Sequence, residues 1–249
     1  MGTGVDSVAR ESGPTRWVET TDRFNGFCPL GHATMMLPTH ALAGMLLGLA
    51  AGYAVPEFAG VALVAGLLGG ILPDLDMYVG HRRTLHYPVY YAALASGTLV
   101  LASLLPSALT VGAAVLLLGA ATHSVADVFG GGLELRPWEA TSDRAVYDHY
   151  NSRWLEPRRW VRYDGSPGDL LLSTALSVPL FWSVEGVLEG VVAASLGVAV
   201  VYTALRRVLP TIADAILGSV LPALPRRVRS RVPERYLRSH SAAEQTTSR

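Results

Sequence analysis

The chain has 249 residues, of which 50% are hydrophobic and only 16% are charged, with a mean hydropathy of +0.33. Since soluble domains carry about 25% charged residues, this composition excludes an ordinary soluble domain and indicates a single helical unit in a membrane. The formal charge is zero with no basic stripe, which excludes a nucleic-acid-binding surface, and the single cysteine, Cys28, excludes an intramolecular disulfide and a cysteine-based metal site.

The first 34 residues are polar, mixed in charge and without helical or strand periodicity, which predicts a disordered leader. A secretory signal peptide needs a basic start and an apolar stretch of about 7 to 15 residues, and this segment has neither. We therefore predict three parts: a disordered leader at 1–34, a membrane-embedded domain at 35–207, and an interfacial amphipathic segment with a basic tail at 208–249.

Six apolar segments follow the leader, at 37–53, 58–72, 87–105, 108–128, 170–184 and 187–205. They predict an all-α, polytopic transmembrane bundle of about six helices arranged in hairpins, with a polar loop at 129–169. The first, second and fifth segments have about 15 to 17 residues, or roughly 23 to 26 Å of helix, against a hydrocarbon core of about 30 Å. These three segments can be short membrane spans, re-entrant hairpins or buried core helices.

Arginine is distributed unevenly along the chain. The breaks at 56–57, 105–107 and 185–186 contain no basic residue, whereas Arg82, Arg83, Arg206 and Arg207 flank the other connections and the tail is rich in arginine. In a six-span arrangement all these arginines lie on the side of the N-terminus. The positive-inside rule therefore predicts a multi-pass protein of the cell membrane with both termini in the cytoplasm. The segment 208–224, between arginine pairs, is predicted to lie in the interface.

Histidine and aspartate residues concentrate at that same predicted face of the bundle: His40, Asp74, Asp76, His81, His86, His123 and Asp127. His123 and Asp127 are four residues apart, so they share one face of a helix. Imidazole nitrogen and carboxylate oxygen are ligands of zinc and similar divalent ions. Each residue also has a simpler interpretation. The aspartates after Pro73 can be a polar turn that ends a helix, His40 can be an interfacial residue with one hydrogen bond, and His123 and Asp127 can merely bond each other. Ionisable groups beside membrane spans are costly when unsatisfied. The presence of seven such groups at one face therefore favours a metal site.

Four motifs, LPTHALAG, GGILPDLD, TLHYP and ATHSVADVFGGGLELRPW, resemble the YdjM-like family of membrane-bound metal-dependent hydrolases over about residues 36–185. The order of histidine and aspartate is also similar, at the level of pattern, to the zinc-dependent phospholipase C and single-strand nuclease superfamily. The first resemblance implies a metal site made by His40, Asp74, His86, His123 and Asp127, with Asp76 and His81 as further candidates. The multinuclear sites of the soluble superfamily need more ligands downstream, where His149 is the only histidine before Asp169. The residues of this chain therefore suit one or two metal ions better than three.

For a hydrolase, the predicted substrate is a phospholipid or another phosphoester, and the predicted metal is zinc, with manganese or iron as alternatives. A carboxylate outside the ligand set, Asp76, would accept a proton from bound water. Arg82, beside Arg83, would bind phosphate oxygens, although both arginines also fit a role in topology. The aromatic and arginine-rich loop 129–169 fits a membrane-interface belt or a lid over the site. Two other functions are left open: a non-catalytic interaction or stress-linked protein, and a metal or proton transporter.

Overall fold

A computed structural model of the protein describes residues 35–134 and 136–220. The predicted leader at 1–34 and the tail from residue 221 lie outside these residues. The described part is mostly helical, which confirms the prediction of a helical bundle. Its helices are α1 (Leu37–Ala54), α2 (Ala59–Ile71), α3 (Pro88–Leu104), α4 (Ala108–Ala126), α5 (Pro167–Ser183), α6 (Val187–Leu205) and α7 (Leu209–Val220).

Four helical segments in the described ranges are long and apolar enough to cross a membrane: Leu37–Ala54, Pro56–Met77, Ala108–Phe129 and Val187–Leu205. Both of the first two segments are longer than predicted: α1 has 18 residues, one more than the sequence indicated, and 3₁₀ turns at Pro56–Phe58 and Leu72–Tyr78 extend α2 at both ends. The fifth segment is short as predicted, since α5 has 17 residues, and α3 also has only 17.

The helices end where the sequence supplies a cap or a turn residue. Ser107 precedes α4 and forms a capping box, in which its Oγ accepts from the Thr110 amide and the Thr110 hydroxyl accepts from the Ser107 amide. Gly186 precedes α6 with a φ of 65°, a left-handed value that favours glycine. Both breaks are hairpins, so α3 pairs with α4 and α5 with α6.

Helix α1 lies at the centre of the bundle and contacts α2, α4, α5 and α6. Its contact with α2 depends on glycine: a Cβ on Gly66 would overlap the carbonyl oxygen of Gly44, and a Cβ on Gly70 would overlap that of His40. On the far side of α2, Gly119 of α4 approaches the backbone of Gly69 and Gly70. This glycine contact brings the three helices that carry His40, Asp74 and His123 close together.

Replacing Gly66 with alanine is expected to lower the melting temperature of the detergent-solubilised protein, since overpacking of a tight contact costs about 1 to 3 kcal/mol. Gly60→Ala on the same helix is the matched control, because a Cβ at Gly60 meets nothing within 4 Å. Thermal unfolding followed by tryptophan fluorescence measures both variants. Equal melting temperatures for the two would contradict the glycine contact.

The polar loop between α4 and α5 contains a β-hairpin that was not predicted. Strands β1 (Val146–Asp148) and β2 (Arg153–Leu155) pair antiparallel, with Val146 opposite Leu155. The backbone amide of Tyr147 donates a hydrogen bond of 2.9 Å to the carbonyl of Arg82, which lies in the connection between α2 and α3. The hairpin therefore packs against the end of the bundle where the histidines and aspartates were predicted to lie.

Candidate metal centre

Four buried side chains meet at that end of the bundle: Asp74, His86, His123 and Asp127. Asp74 lies in the 3₁₀ turn that follows α2, and His86 lies two residues before α3. His123 lies in the last turn of α4, and Asp127 begins the 3₁₀ turn that follows this helix. One ligand atom from each residue can be chosen so that all four atoms lie within 4.8 Å of one another. We call these four residues the metal group.

The distances within the metal group fit a small divalent ion. His86 Nε2 lies 3.0 Å from Asp127 Oδ2 and 3.9 Å from Asp74 Oδ1. His123 Nε2 lies 3.5 Å from Asp127 Oδ2 and 3.4 Å from Asp74 Oδ1. A tetrahedron with metal–ligand bonds of about 2.0 to 2.1 Å has edges of about 3.3 to 3.4 Å. The four His–Asp distances, 3.0 to 3.9 Å, lie around this edge length, so the group can hold a small divalent ion.

Hydrogen bonds on the opposite ring nitrogens direct both Nε2 atoms towards the carboxylates. His123 Nδ1 donates to the carbonyl of Gly70 at 2.6 Å, and His86 Nδ1 donates to Asp76 Oδ2 at 3.0 Å. In a neutral His123 ring Nε2 then carries a lone pair, whereas His86 Nε2 lies within hydrogen-bond distance of Asp127 Oδ2 and would give up a proton when an ion binds. Asp74 Oδ1 and His123 Nε2 are buried without a hydrogen-bond partner among the described residues. A cation between them would satisfy these atoms.

The electrostatics of His86 show the same preference for a cation. Burial lowers the pKa of this imidazole, but its hydrogen bonds to Asp127 and Asp76 raise it more, so the pKa of His86 is above its ordinary value. The carboxylates thus create a negative field at the ring. A divalent ion between the ligand atoms would interact with both carboxylates of the metal group.

His40 and His81, both predicted as ligands, lie outside the metal group. His40 Nε2 donates to Asp127 Oδ1 at 3.1 Å, and its ring stacks on that of His123 at 3.7 Å between centroids. His81 Nδ1 lies 3.0 Å from Asp76 Oδ1. The structure therefore brings four of the six predicted metal residues into the group, and gives His40 a contact that orients the Asp127 ligand.

Asp76, predicted to accept a proton from bound water, has both oxygens occupied. Its Oδ1 accepts from His81 Nδ1 and from the Arg82 amide at 3.3 Å, and its Oδ2 accepts from His86 Nδ1 and from the Leu85 amide at 3.0 Å. This arrangement folds the turn between α2 and α3 around one carboxylate. Asp76 therefore lies behind His86 and fixes the direction of its Nε2.

Asp76→Asn is expected to weaken metal binding by about 10- to 100-fold, the range for partners that orient a ligand, because an amide group cannot accept all four hydrogen bonds. Competition with a chelator of known affinity measures the change. Glu57→Gln, an exposed carboxylate in the turn before α2, is the matched control and should bind metal as the wild type does. An unchanged affinity in Asp76→Asn would contradict the orienting role.

Arg82, predicted as a catalytic residue, is completely buried beside the metal group. Its Nε lies 3.5 Å from Asp127 Oδ2, and its Nη1 donates to the carbonyls of Gly131 and Ala145 in the loop. Neither Nε nor Nη2 has a hydrogen-bond partner among the described residues. Arg82 thus has a fixed guanidinium that is ion-paired with Asp127 through Nε and has two buried N–H groups without hydrogen-bond partners in the described part of the chain.

The neighbouring polar residues of the sequence lie farther out. Arg83 is exposed and its guanidinium lies over the Tyr147 ring at 4.6 Å. His149, considered as an additional ligand, is half-buried and donates from Nε2 to the carbonyl of Arg83 at 2.5 Å. His149 is therefore outside the metal group and serves below as a control residue.

A second buried polar network, which the sequence analysis did not predict, ties α5 to α1. Asp169 accepts hydrogen bonds from the Thr39 hydroxyl at 2.6 Å and the Met36 amide at 2.8 Å, next to His40. The Ser-x-x-Asp capping pattern at Ser166 was the available signal. Beside it, burial raises the pKa of Asp164 to about 7 despite its ion pair with Arg206. Together these contacts fix the helix ends around the metal group.

Comparison with known proteins gave no similarity: no family model, no curated protein and no solved structure matches the chain. The resemblance to the YdjM-like family accordingly stays a prediction. What the structure establishes is a buried group of two aspartates and two histidines that can hold a metal ion, at one end of a bundle of apolar helices.

Proposed function

We propose that the protein is an integral membrane hydrolase of the YdjM-like type that uses a divalent metal ion to cleave a phosphoester, with a phospholipid or a related compound as the substrate class. The observation that carries this proposal is the metal group itself: two Nε2 atoms and two carboxylate oxygens within 4.8 Å of one another, beside an arginine with two N–H groups that lack hydrogen-bond partners among the described residues.

Zinc fits this ligand set best, because imidazole nitrogen and carboxylate oxygen at this spacing suit a four-coordinate ion, whereas manganese and iron prefer more ligands. A bound zinc ion supplies a Lewis acid and lowers the pKa of bound water to about 7. The side chains of Asp74, His86, His123 and Asp127 hold it. The carbonyl of Gly70 and the carboxylate of Asp76 keep both histidine rings in the ligating tautomer.

Arg82 gives the proposed site its preference for phosphate. Its Nε and Nη2 form one edge of the guanidinium, and two oxygens of a phosphoryl group match that edge. The guanidinium is fixed by Gly131 and Ala145, so little side-chain entropy is lost when an anion binds.

The loop between α4 and α5 fits a lid on this site. Its carbonyls at Gly131 and Ala145 accept from Arg82, so moving the loop would release the guanidinium and open the buried metal group. Trp160, 78% exposed, and Tyr150, 68% exposed, are available to contact lipid head groups. The arginines of the same face, including Arg83 and Arg207, orient it towards the cytoplasm by the positive-inside rule.

An activity assay with metal removal tests the proposal. The detergent-solubilised protein is loaded with zinc and offered a phosphomonoester, a phosphodiester and a phospholipid, before and after treatment with a chelator. We expect hydrolysis of at least one of them, its loss on chelation and its return with added zinc. His149→Ala should keep this activity and His86→Ala should lose it. Hydrolysis that is insensitive to both the chelator and His86→Ala would contradict the proposed site.

A further inference from the structure

A second polar site lies between the loop and the ends of α5 and α6. A cavity of about 680 Å³ is bordered by Gly165 and Ser166 before α5, by Thr203 and Arg207 at the end of α6, and by Arg162 of the loop. An adjoining cavity of about 320 Å³ shares Arg162 and Arg207 with it and adds Arg159 and Trp138. None of the four residues of the metal group lines either cavity.

The lining of these two cavities is strongly positive. It contains three arginines, Arg159, Arg162 and Arg207, and no Asp or Glu among the described residues. Arg162 forms no hydrogen bond or ion pair with another residue of the described ranges, and Arg207 donates from Nε to the Tyr163 hydroxyl at 3.2 Å. The nearby carboxylate of Asp164 is buried and paired with Arg206, so it does not neutralise the lining arginines. The cavities therefore attract an anion.

The position of the cavities near the end of an apolar helix favours a lipid as the molecule that carries the anion. Arg207 lies two residues beyond Leu205, where α6, a helix apolar enough to span a membrane, ends. Trp138 packs beneath Arg207, 5.9 Å from guanidinium carbon to ring centroid, as aromatic residues of a membrane interface do. Leu171 of α5 and Val201 of α6 expose 70% and 58% of their surface. A molecule that fills this region has an anionic head between the arginines and apolar chains along α5 and α6.

We propose that the cavity lined by Arg162 and Arg207 binds the phosphate group of an anionic phospholipid, at a site separate from the metal group. The guanidinium groups donate charge-assisted hydrogen bonds to the phosphate. The amide dipoles at the start of α5, next to Ser166, add to the attraction. The bound lipid connects the loop, α5 and α6, and this site does not depend on whether the metal group is catalytic.

Lipid binding by the full chain tests the inference. The purified protein in a neutral detergent is titrated with phosphatidylglycerol, phosphatidylcholine and inorganic phosphate, and bound lipid is counted by native mass spectrometry. We expect phosphatidylglycerol to bind at least about tenfold more tightly than phosphatidylcholine, because both head groups carry a phosphate but the lining arginines repel the choline ammonium of phosphatidylcholine. Arg162→Gln and Arg207→Gln should each weaken phosphatidylglycerol binding about tenfold.

Arg153→Gln is the matched control, since Arg153 is an exposed arginine of the same loop that lines neither cavity. It should bind phosphatidylglycerol as the wild type does. Melting temperature and metal content show whether each variant is folded. Three results would overturn the inference: equal weakening by Arg153→Gln, wild-type affinity in folded Arg162→Gln and Arg207→Gln, or inorganic phosphate binding as tightly as phosphatidylglycerol, which would identify a site for free phosphate.

Discussion

His123→Ala is expected to weaken metal binding by well over about 100-fold, beyond the range for residues that only orient a ligand. The variant loses one of four ligand atoms in a buried group, and the remaining two carboxylates and His86 cannot complete a tetrahedron. Elemental analysis after purification without chelator measures the retained metal, and chelator competition measures the affinity. The proposed phosphoester hydrolysis should fall with the metal content.

His149→Ala is the control for this variant, because it removes a half-buried histidine outside the metal group, which donates to the backbone of Arg83 and packs against Tyr87 and Tyr147. It should retain the wild-type metal content. Metal removal should also lower the melting temperature of the wild type, since an ion that binds only the folded state stabilises it, and should leave that of His123→Ala unchanged. Wild-type metal content in His123→Ala would show that the ion binds elsewhere.

Arg82→Lys is expected to reduce kcat/KM for a phosphoester by about 10²- to 10³-fold, the range for loss of a preorganised donor at a developing charge. Lysine keeps the positive charge but has no pair of parallel N–H groups to match two phosphoryl oxygens. The metal group is intact in this variant, so its metal content should equal that of the wild type. Kinetics with a soluble phosphodiester and elemental analysis on the same sample distinguish a loss of phosphate binding by Arg82 from a loss of metal.

Arg83→Lys is the matched control, one residue away in the chain. Arg83 is exposed and lies over Tyr147 instead of facing the metal group. Its substitution should leave kcat/KM within about twofold of the wild type, as for surface changes away from a site. Because Arg82 also bonds Gly131 and Ala145, the melting temperature of both variants is recorded. Equal losses of activity in Arg82→Lys and Arg83→Lys would contradict the role of Arg82.

The sequence predicted the helical bundle because hydropathy marks apolar helices directly, and it placed His123 and Asp127 correctly on one face because helix periodicity is regular. The residue pattern alone could not separate Asp74 from Asp76, and only the family resemblance assigned Asp74 to the metal site. Both follow Pro73 in the same short turn, and only the 3₁₀ geometry of that turn directs Asp74 towards His123 and Asp76 towards the Leu85 amide.

Other features of the site depend on contacts between distant segments, which a pattern in one sequence does not contain. The carbonyl of Gly70 that fixes the His123 tautomer looks like any other backbone group in an apolar helix. The strands of the loop hairpin have three residues each, too few for an alternating pattern to be recognised. The leader, the orientation in the membrane and the substrate class stay predictions.

X-ray absorption spectroscopy at the edge of the metal that co-purifies with the wild-type protein tests most directly whether the metal group holds a divalent ion. We expect about one equivalent of zinc per chain, with four nitrogen or oxygen ligands at about 2.0 to 2.2 Å and the scattering pattern of two imidazoles, from His86 and His123. The absence of bound metal, or a bound ion without imidazole ligands, would contradict the metal group as we describe it.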